Sequence, residues 1–190
     1  GGPHTVVDND LSGTDVTEVN VDLGSVAGGG DTQPDTVIAM GTSGDDVLDA
    51  TSLEADGIQL TMNGGLGNDV FLGSEGNDLI NGGDGDDVAL MGAGNDTFVW
   101  NPGDDNDTLE GQDGFDTMLF NGSNAAENID VSANGARVRF FRNIANVTMD
   151  LDDVEGIDFN ALGGADAVVV NELSGTDLTE LNLNLAGTLN

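Results

Sequence analysis

An aspartate recurs every nine residues through the middle of this chain, and this period is the strongest constraint on its fold. Six nine-residue units begin at Gly64, Gly73, Gly82, Met91, Pro102 and Gly111. Their sixth positions are Asp69, Asp78, Asp87, Asp96, Asp107 and Asp116. The only interruption among the six is the pair Trp100-Asn101 before the fifth unit, and an earlier unit at Gly41, separated from them by residues 50–63, places Asp46 at the same position. Regular repetition of so short a unit predicts a solenoid, in which each turn of chain stacks on the one before.

Positions seven to nine of each unit predict a short strand, because side chains alternate faces along a strand and the middle residue is always apolar. These middle residues are Phe71, Ile80, Ala89, Phe98, Leu109 and Met118. Positions one to six are rich in Gly, Asn and Asp, which favour sharp turns with positive φ. One unit then makes half a coil, and units two apart stack directly. The predicted fold is all-β, a parallel β-roll or right-handed β-helix solenoid forming a single elongated domain.

The turns predict metal sites. In a turn of alternating backbone conformation, successive carbonyls point up and down the stack, and the aspartates add negative charge between turns. A flexible cage of oxygen ligands suits several Ca²⁺ ions better than Mg²⁺, which requires a tighter octahedron. A disordered acidic linker is the alternative, but the apolar eighth positions keep register with the aspartates. The candidate metal ligands are Thr42, Gly44, Asp46, Gly65, Gly67, Asn68, Asp69, Ser74, Gly76, Asn77, Asp78, Gly83, Gly85, Asp86, Asp87, Gly92, Gly94, Asn95, Asp96, Gly103, Asp105, Asp107, Gln112, Gly114 and Asp116.

The units at Gly64 and Gly82 fit the pattern Gly-Gly-x-Gly-x-Asp-x-U-x, where U is apolar, and through them the chain resembles the RTX, or hemolysin-type, calcium-binding repeat family. The resemblance covers residues 41–119 and implies export through a type I exporter and folding on contact with external calcium. Position one departs from glycine in the units at Met91 and Pro102, and we expect those two turns to bind calcium most weakly.

Composition narrows the function. The chain carries 36 Asp and Glu against 3 Lys and Arg, a formal net charge of -33, which disfavours nucleic acid as a partner and favours divalent cations. A halophilic surface would explain the charge but not the period. The chain has no cysteine, and no apolar run approaches a membrane span. The charge favours a folding reaction coupled to calcium binding. The resemblance to the RTX family implies that this takes place outside the cell or on its surface, in a secreted bacterial protein.

A second, longer repeat relates the two ends. Residues 168–185 parallel residues 6–23 at an offset of 162 positions, which predicts a segment of a tandem array or, alternatively, two paralogous caps. We divide the chain into irregular solenoid coils at 1–40, the calcium-binding β-roll at 41–121, and further irregular coils at 122–190, of which 163–190 repeat 1–24. Strand patterns continue through the last segment, and residues 122–126 are expected to bulge out of the coil as a loop.

The arginines and the tryptophan each allow more than one interpretation of what the protein surface binds. The only cations, Arg137, Arg139 and Arg142, are predicted to neutralise nearby carboxylates, with binding of an anionic polysaccharide as the alternative. Trp100 is expected to cover an edge of the solenoid, and stacking on a carbohydrate is its alternative role. Without a plausible nucleophile we expect no enzyme, and a β-helix lyase or epimerase is the least favoured reading. The candidate partners are calcium, neighbouring repeats of the same protein, and polysaccharide in a calcium-dependent adhesion module.

Overall fold

The computed structural model describes residues 5–7, 35–51 and 58–185, and in this part of the chain the regular structure is entirely β. The first nine strands are β1 Thr5–Val7, β2 Asp35–Met40, β3 Val47–Asp49, β4 Ile58–Leu66, β5 Val70–Leu72, β6 Leu79–Asp84, β7 Val88–Leu90, β8 Ala93–Gly94 and β9 Thr97–Trp100. The other nine are β10 Thr108–Glu110, β11 Asp113–Gly114, β12 Thr117–Asn121, β13 Asn128–Asn134, β14 Arg137–Arg142, β15 Val147–Asp152, β16 Gly156–Asn160, β17 Ala167–Val170 and β18 Glu180–Asn184. Among these residues no helix is long and apolar enough to cross a membrane.

Two eight-stranded sheets form the walls of a solenoid. The first has the order β1-β2-β4-β6-β9-β12-β16-β18, and the second β3-β5-β7-β10-β15-β14-β13-β17. Within the repeats, successive half-coils alternate between the sheets, and strands two units apart pair in parallel. Val70 pairs with Val88, 18 residues on, and Val88 pairs with Thr108, 20 residues on because Trp100-Asn101 is inserted. The predicted all-β parallel solenoid is confirmed.

The space between the two sheets is filled by the eighth residue of each unit. Phe71, Ile80, Ala89, Phe98, Leu109 and Met118 have no solvent-exposed surface, as the alternating pattern predicts. Their neighbours at positions seven and nine are only half-buried on the outer faces. The hydrophobic core is therefore a single row of side chains running along the solenoid axis.

Trp100 belongs to this core, and both sequence-based expectations for it are wrong. Its side chain is fully buried, and its ring stacks on Phe120 with centroids 4.0 Å apart and planes 3° apart. Its indole N–H donates to the carbonyl oxygen of Asp105 at 2.9 Å. Phe140 and Phe159 pack against Phe120 and complete an aromatic cluster, so the two-residue insertion turns a large side chain inward rather than towards solvent.

The parallel architecture is interrupted after the last repeat. Strands β13, β14 and β15 form an antiparallel meander within the second sheet, with Ile129 opposite Arg142 and Val138 opposite Leu151. The first turn of the meander is the two-residue loop Gly135-Ala136, and Gly135 has φ of 72°. Glycine with positive φ at the first position of such a loop suits a type II′ hairpin. The sequence analysis predicted all three strands but not their antiparallel pairing.

The turn over residues 122–127 also differs from expectation, because it remains within the coil. Gly122 and Glu127 are buried, and the amide of Gly122 donates to the carbonyl of Asn160 in the neighbouring coil at 2.7 Å. Ile129, two residues beyond Glu127, lies in the core. This segment is thus a degenerate repeat turn with Glu127 at the sixth position, and the predicted bulge is wrong. Residues 8–23, the copy of 170–185, lie outside the described residues.

Candidate metal centre

The turns of the repeats fall into two types, distinguished by the second residue of the unit. In the first type this residue has positive φ, as in Gly65 at 110° and Gly83 at 98°, and even Gln112 adopts φ of 74° there. The fourth residue often does the same, as in Gly67 and Gly85. We call these the glycine turns, and they comprise residues 64–69, 82–87, 91–96, 102–107 and 111–116.

Peptide oxygens of one glycine turn point at the next turn of the stack. A Cβ added to Gly83 would lie 2.2 Å from the carbonyl oxygen of Gly65, and one added to Gly85 would lie 2.0 Å from that of Gly67. No side chain fits at these positions, so the glycines are required both by φ and by the close approach of carbonyls. The space between stacked turns is consequently lined by backbone oxygen atoms.

The sixth-position carboxylates form a regular series of hydrogen bonds along each stack. In one stack, the amide of Asp46 donates to Oδ1 of Asp69 at 2.8 Å, and the amide of Asp69 donates to Oδ1 of Asp87 at 2.7 Å. The amide of Asp87 donates in turn to Oδ1 of Asp107 at 2.9 Å. In the other stack, Asp78, Asp96 and Asp116 are linked in the same way. One oxygen of each carboxylate is thereby fixed, and its other oxygen is held in a defined direction.

That second oxygen is left without a protein partner in every glycine turn. Buried Oδ2 atoms that accept no hydrogen bond belong to Asp69, Asp87, Asp96, Asp107 and Asp116. The exposed fraction of these side chains is 3% or less. A buried carboxylate oxygen without a donor carries a large desolvation cost, so five of them in register indicate that a cation belongs beside them. Because the surrounding donors are carboxylate and peptide oxygens, the set fits a hard cation such as Ca²⁺.

The electrostatics of the turns point the same way. Burial, with a smaller contribution from the carboxylates of neighbouring turns, raises the pKa of Asp87 to about 7, of Asp96 to about 8 and of Asp107 to about 9. Burial also raises the pKa of Asp116, to about 6, and that of Asp69. Carboxylates with such high pKa values are costly to bury in the ionised form without a partner. Either protonation or a bound cation removes that cost.

The second turn type satisfies its own carboxylate. In the turn 73–78, the amide of Ser74 donates to Oδ2 of Asp78 at 2.7 Å, and the Ser74 hydroxyl donates to Oδ1 at 2.9 Å. Thr42 contacts Asp46 in the same manner, with distances of 2.6 Å from the amide and 2.9 Å from the hydroxyl to Oδ2. We call 41–46, 73–78 and 122–127 the hydroxyl turns. Their hydroxyl and amide donors lie where the glycine turns present none.

The hydroxyl turn at 122–127 also contains an internal cation. The Ser123 hydroxyl donates to Oε1 of Glu127 at 3.0 Å, and Nε of Arg142 donates to the same oxygen at 2.7 Å. Arg142 is 3% exposed and Glu127 is 0% exposed, and the guanidinium lies 5.2 Å from the Trp100 ring. A fixed guanidinium therefore neutralises a sixth-position carboxylate. The predicted role of Arg142 in neutralising a carboxylate is thus confirmed, and the alternation of strand β14 places its side chain on the inner face.

Not every predicted ligand converges on the space between turns. The fifth-position side chains form a separate series on the exposed surface, where Oδ1 of Asn68 accepts from the amide of Asp86 at 3.0 Å and Oδ1 of Asn77 accepts from the amide of Asn95 at 2.8 Å. Asp105 is also exposed. Through their side chains these residues bind the adjacent turn rather than the interior of the stack.

Two acidic residues that the sequence analysis did not select do lie at the turns. Oε2 of Glu155 accepts from the amide of Asp116 at 2.7 Å, which extends the second series by one coil. Asp104 accepts from the amide of Asn101 at 2.6 Å, and burial raises its pKa to about 6. Glu155 lies two residues before the buried Ile157, the same spacing as in a repeat unit, and that spacing is the signal that could have found it.

The remaining cations are paired with carboxylates. Arg137 contacts Glu110 at 2.8 Å, Asp150 at 2.8 Å and Asp152 at 3.1 Å, and Arg139 contacts Asp130 at 3.1 Å. Their predicted role in charge compensation is thus confirmed by the contacts. Asp152 also lies in an exposed group with Asp153 and Asp177, whose carboxylate oxygens are within 4.8 Å of one another.

Comparison with known proteins gives a single family. The family model described as the RTX calcium-binding nonapeptide repeat matches residues 63–98 and 102–119, in four copies. The matched residues contain all five glycine turns. No curated protein and no solved structure matches the chain. The repeats at residues 63–98 and 102–119 are therefore RTX calcium-binding nonapeptide repeats.

Proposed function

We propose that this chain is a non-catalytic structural module that becomes a rigid rod when calcium binds between its glycine turns. The observation that supports this most directly is the set of five buried Oδ2 atoms without donors, one in each glycine turn and in none of the hydroxyl turns. Calcium bound there would complete the coordination of these carboxylates with six to eight oxygen ligands, a number that carboxylate and peptide oxygens of two stacked turns can supply.

The proposal predicts that the turns differ in their affinity for calcium. The ligands would be Asp69, Asp87 and Asp107 in one stack and Asp96 and Asp116 in the other, together with peptide oxygens of positions two and four. Both oxygens of Asp78 and Oδ2 of Asp46 accept hydrogen bonds from protein donors, so the turns that contain them contribute least. We had expected the turns at Met91 and Pro102 to bind most weakly. Asp96 and Asp107 nevertheless have the same unsatisfied oxygen as Asp69, and the hydroxyl at position two is the better criterion.

Folding and binding are coupled in this proposal. A chain with a formal net charge of -33 repels itself strongly, and the buried carboxylates of the glycine turns add desolvation cost when no cation is present. Calcium would relieve both effects, so that the module is loose at the low calcium concentration of a cell and folded at millimolar calcium outside it. This behaviour suits a secreted or surface protein of bacteria that leaves through a type I exporter.

The structure gives little support to the alternative functions. Trp100 could have stacked on a sugar and the arginines could have bound an anionic polysaccharide. Trp100 is instead buried in the core, and all three arginines are paired with carboxylates. The proposal therefore assigns no catalytic residue.

A calcium titration of the EDTA-stripped chain tests the function. We expect a cooperative gain of β signal in far-UV circular dichroism with calcium and little change with magnesium at the same concentration. Equilibrium dialysis of the folded product should find several bound calcium ions per chain. An unchanged spectrum, together with no calcium in the dialysed protein, would contradict the proposal, because the solenoid would then fold without metal.

A further inference from the structure

The last described coil exposes apolar side chains whose register partners in the preceding strands are buried. Val170 is 45% exposed, whereas Val131, its register partner in the preceding strand of the sheet, is fully buried. Leu183 is 39% exposed, and its register partner Phe159 is 1% exposed. Both are in register with core positions, so the row of apolar side chains along the axis opens to the surface at strands β17 and β18.

The backbone of β17 is also open on one side. Among the described residues, β17 is the last strand of its sheet and pairs only with β13. The amides of Ala167 and Asn171 donate to carbonyls next to or within β13, those of Glu127 and Val131. Because N–H groups alternate sides along a strand, the amides of Val168 and Val170 point towards the free edge. An exposed edge with apolar side chains favours pairing with a further strand.

The internal repeat identifies that strand. Twelve of the 18 residues in 168–185 are identical to their counterparts in 6–23, and the preceding Ala167 corresponds to Thr5. Strand β1, Thr5–Val7, is therefore the counterpart of Ala167–Val169. In the structure β1 is paired in parallel with β2, with Val6 opposite Val37 and Val7 opposite Ile38. Val7 and Val169 are also alike in exposure, at 50% and 52%, as expected for equivalent residues on an outer face.

We infer that the free edge of β17 binds a second copy of β2, supplied by another unit of the same long repeat, in the register that β1 shows. Val168 then faces the second copy's Val37, and Val169 faces its Ile38. Because successive half-coils alternate between sheets, the next strand of that copy, the equivalent of β3, covers β18 and its exposed Leu183. Strand β2 carries one carboxylate in six residues, so it can approach this acidic chain with little added repulsion. Long repeats would thereby join into one solenoid without a break in the core.

An extended chain tests the register. Because the offset of the long repeat is 162, a copy of residues 29–72 appended after Asn190 continues the repeat in frame. The chain has no cysteine, so two can be introduced without competing thiols. In calcium, Val169→Cys with Ile38→Cys in the appended copy should form an intramolecular disulfide, because neighbouring strands bring Cα atoms within the 4.4–6.8 Å that a disulfide spans. Val169→Cys with Met40→Cys in the copy is the matched control, on the same face but two residues out of register.

Cross-linking of the Ile38 pair alone supports the inference, whereas equal cross-linking of both pairs or of neither overturns it. Hydrogen exchange on the extended chain without cysteines gives a second measurement. The amides of Val168 and Val170 should become protected, and Val37→Asp in the copy should remove that protection. If these amides exchange as fast in the extended chain as in the original, β17 does not bind the copied strand. Calcium binding by the glycine turns is measured separately on the original chain, so failure here leaves that proposal intact.

Discussion

The glycine-turn region, residues 64–119, and the region that follows it, residues 122–160, both place a sixth-position carboxylate in a turn but satisfy it differently. In the glycine turns Oδ2 of each aspartate has no protein donor. At Glu127 the corresponding charge is met by the Ser123 hydroxyl and by the guanidinium of Arg142. The comparison teaches that groups of the chain itself can satisfy a sixth-position carboxylate. Under the proposed function the glycine turns obtain a counter-charge from solution, whereas the later region carries one in its own sequence.

The two regions also differ in how much apolar surface they bury. The aromatic cluster of Trp100, Phe120, Phe140 and Phe159 lies at the junction of the regions and extends into the later one. Large aromatic side chains contribute strongly to the free energy of burial, and their stacking adds to it. In the earlier coils the core includes the small Ala89. We therefore expect the later region to be stable with less help from metal.

Calcium removal should separate the two regions most strongly. In EDTA, strands β5, β7 and β9 should lose hydrogen-exchange protection, because the carboxylates of their turns are then uncompensated. Strands β13 to β16 should keep most of theirs. Mass spectrometry of peptides from each region, with and without EDTA, measures the difference, and magnesium serves as the control ion. Equal loss of protection in both regions would show that the solenoid unfolds as one unit. Arg142 would then not keep the later region folded when the glycine turns unfold.

Acidification should partly replace calcium in the glycine turns. The pKa values of Asp87, Asp96 and Asp107 are raised to about 7, 8 and 9, above the value of about 3.9 for an unfolded aspartate. The folded, calcium-free chain therefore binds more protons than the unfolded chain, and its stability falls as pH rises from about 4 to about 9.

Urea midpoints of the EDTA-treated chain should accordingly be higher at pH 5 than at pH 8. The calcium affinity of the folded chain should rise over the same range, because calcium and protons compete for the same carboxylates. A calcium-free chain that gains stability between pH 5 and pH 8 would contradict this prediction. Such a result would mean that these aspartates are ionised and compensated without metal.

Loss of the internal cation should destabilise the later region whether or not calcium is present. Arg142→Met leaves Glu127 buried without its partner, and breaking a buried ion pair in this way costs about 3–5 kcal/mol. Arg139→Met is the matched control, because its pair with Asp130 is about 40% exposed on both sides and such pairs contribute about 0–1 kcal/mol. Urea unfolding in calcium measures both variants. A second change, Glu127→Gln, should recover part of the loss by removing the unpaired charge.

Part of this comparison could be read from the sequence and part could not. The period located the strands at positions seven to nine and the buried residue of each, because alternation and spacing act locally. It did not distinguish Ser74 from the glycines at position two, since a peptide oxygen is present in either case and only the three-dimensional turn shows the hydroxyl facing Asp78. The role of Arg142 in neutralising a carboxylate was predicted, but its partner Glu127 was not, because Glu127 lies fifteen residues away, just before an antiparallel neighbouring strand. The loop Gly135-Ala136 after Asn134 was a hairpin signal that the parallel expectation overrode.

Two aspartates at the same position should respond differently to the same substitution. Asp96→Asn removes charge from a glycine turn, where the lost contact with a cation is worth about 1.5–3 kcal/mol, or roughly a 10- to 100-fold weaker calcium affinity at that site. Asp78→Asn alters a hydroxyl turn and should leave the calcium affinity within about twofold of the original. Isothermal titration with calcium compares the two variants. Equal losses in both would mean that Asp78 binds metal despite its contacts with Ser74.

The smallest predicted effect comes from converting one turn type into the other. Ser74→Gly removes the hydroxyl that contacts Asp78 and the acceptor of the Gly76 amide, at a cost of about 1–3 kcal/mol in EDTA. In calcium the same variant should recover that loss, because the freed oxygen of Asp78 becomes a ligand and the stoichiometry rises by one ion. Ser174→Gly is the control, since Ser174 is exposed and lies outside the nine-residue units. A variant that loses stability equally in EDTA and in calcium would show that the hydroxyl supports the turn but does not stand in for a metal ion. The two turn types would then differ in more than their source of counter-charge.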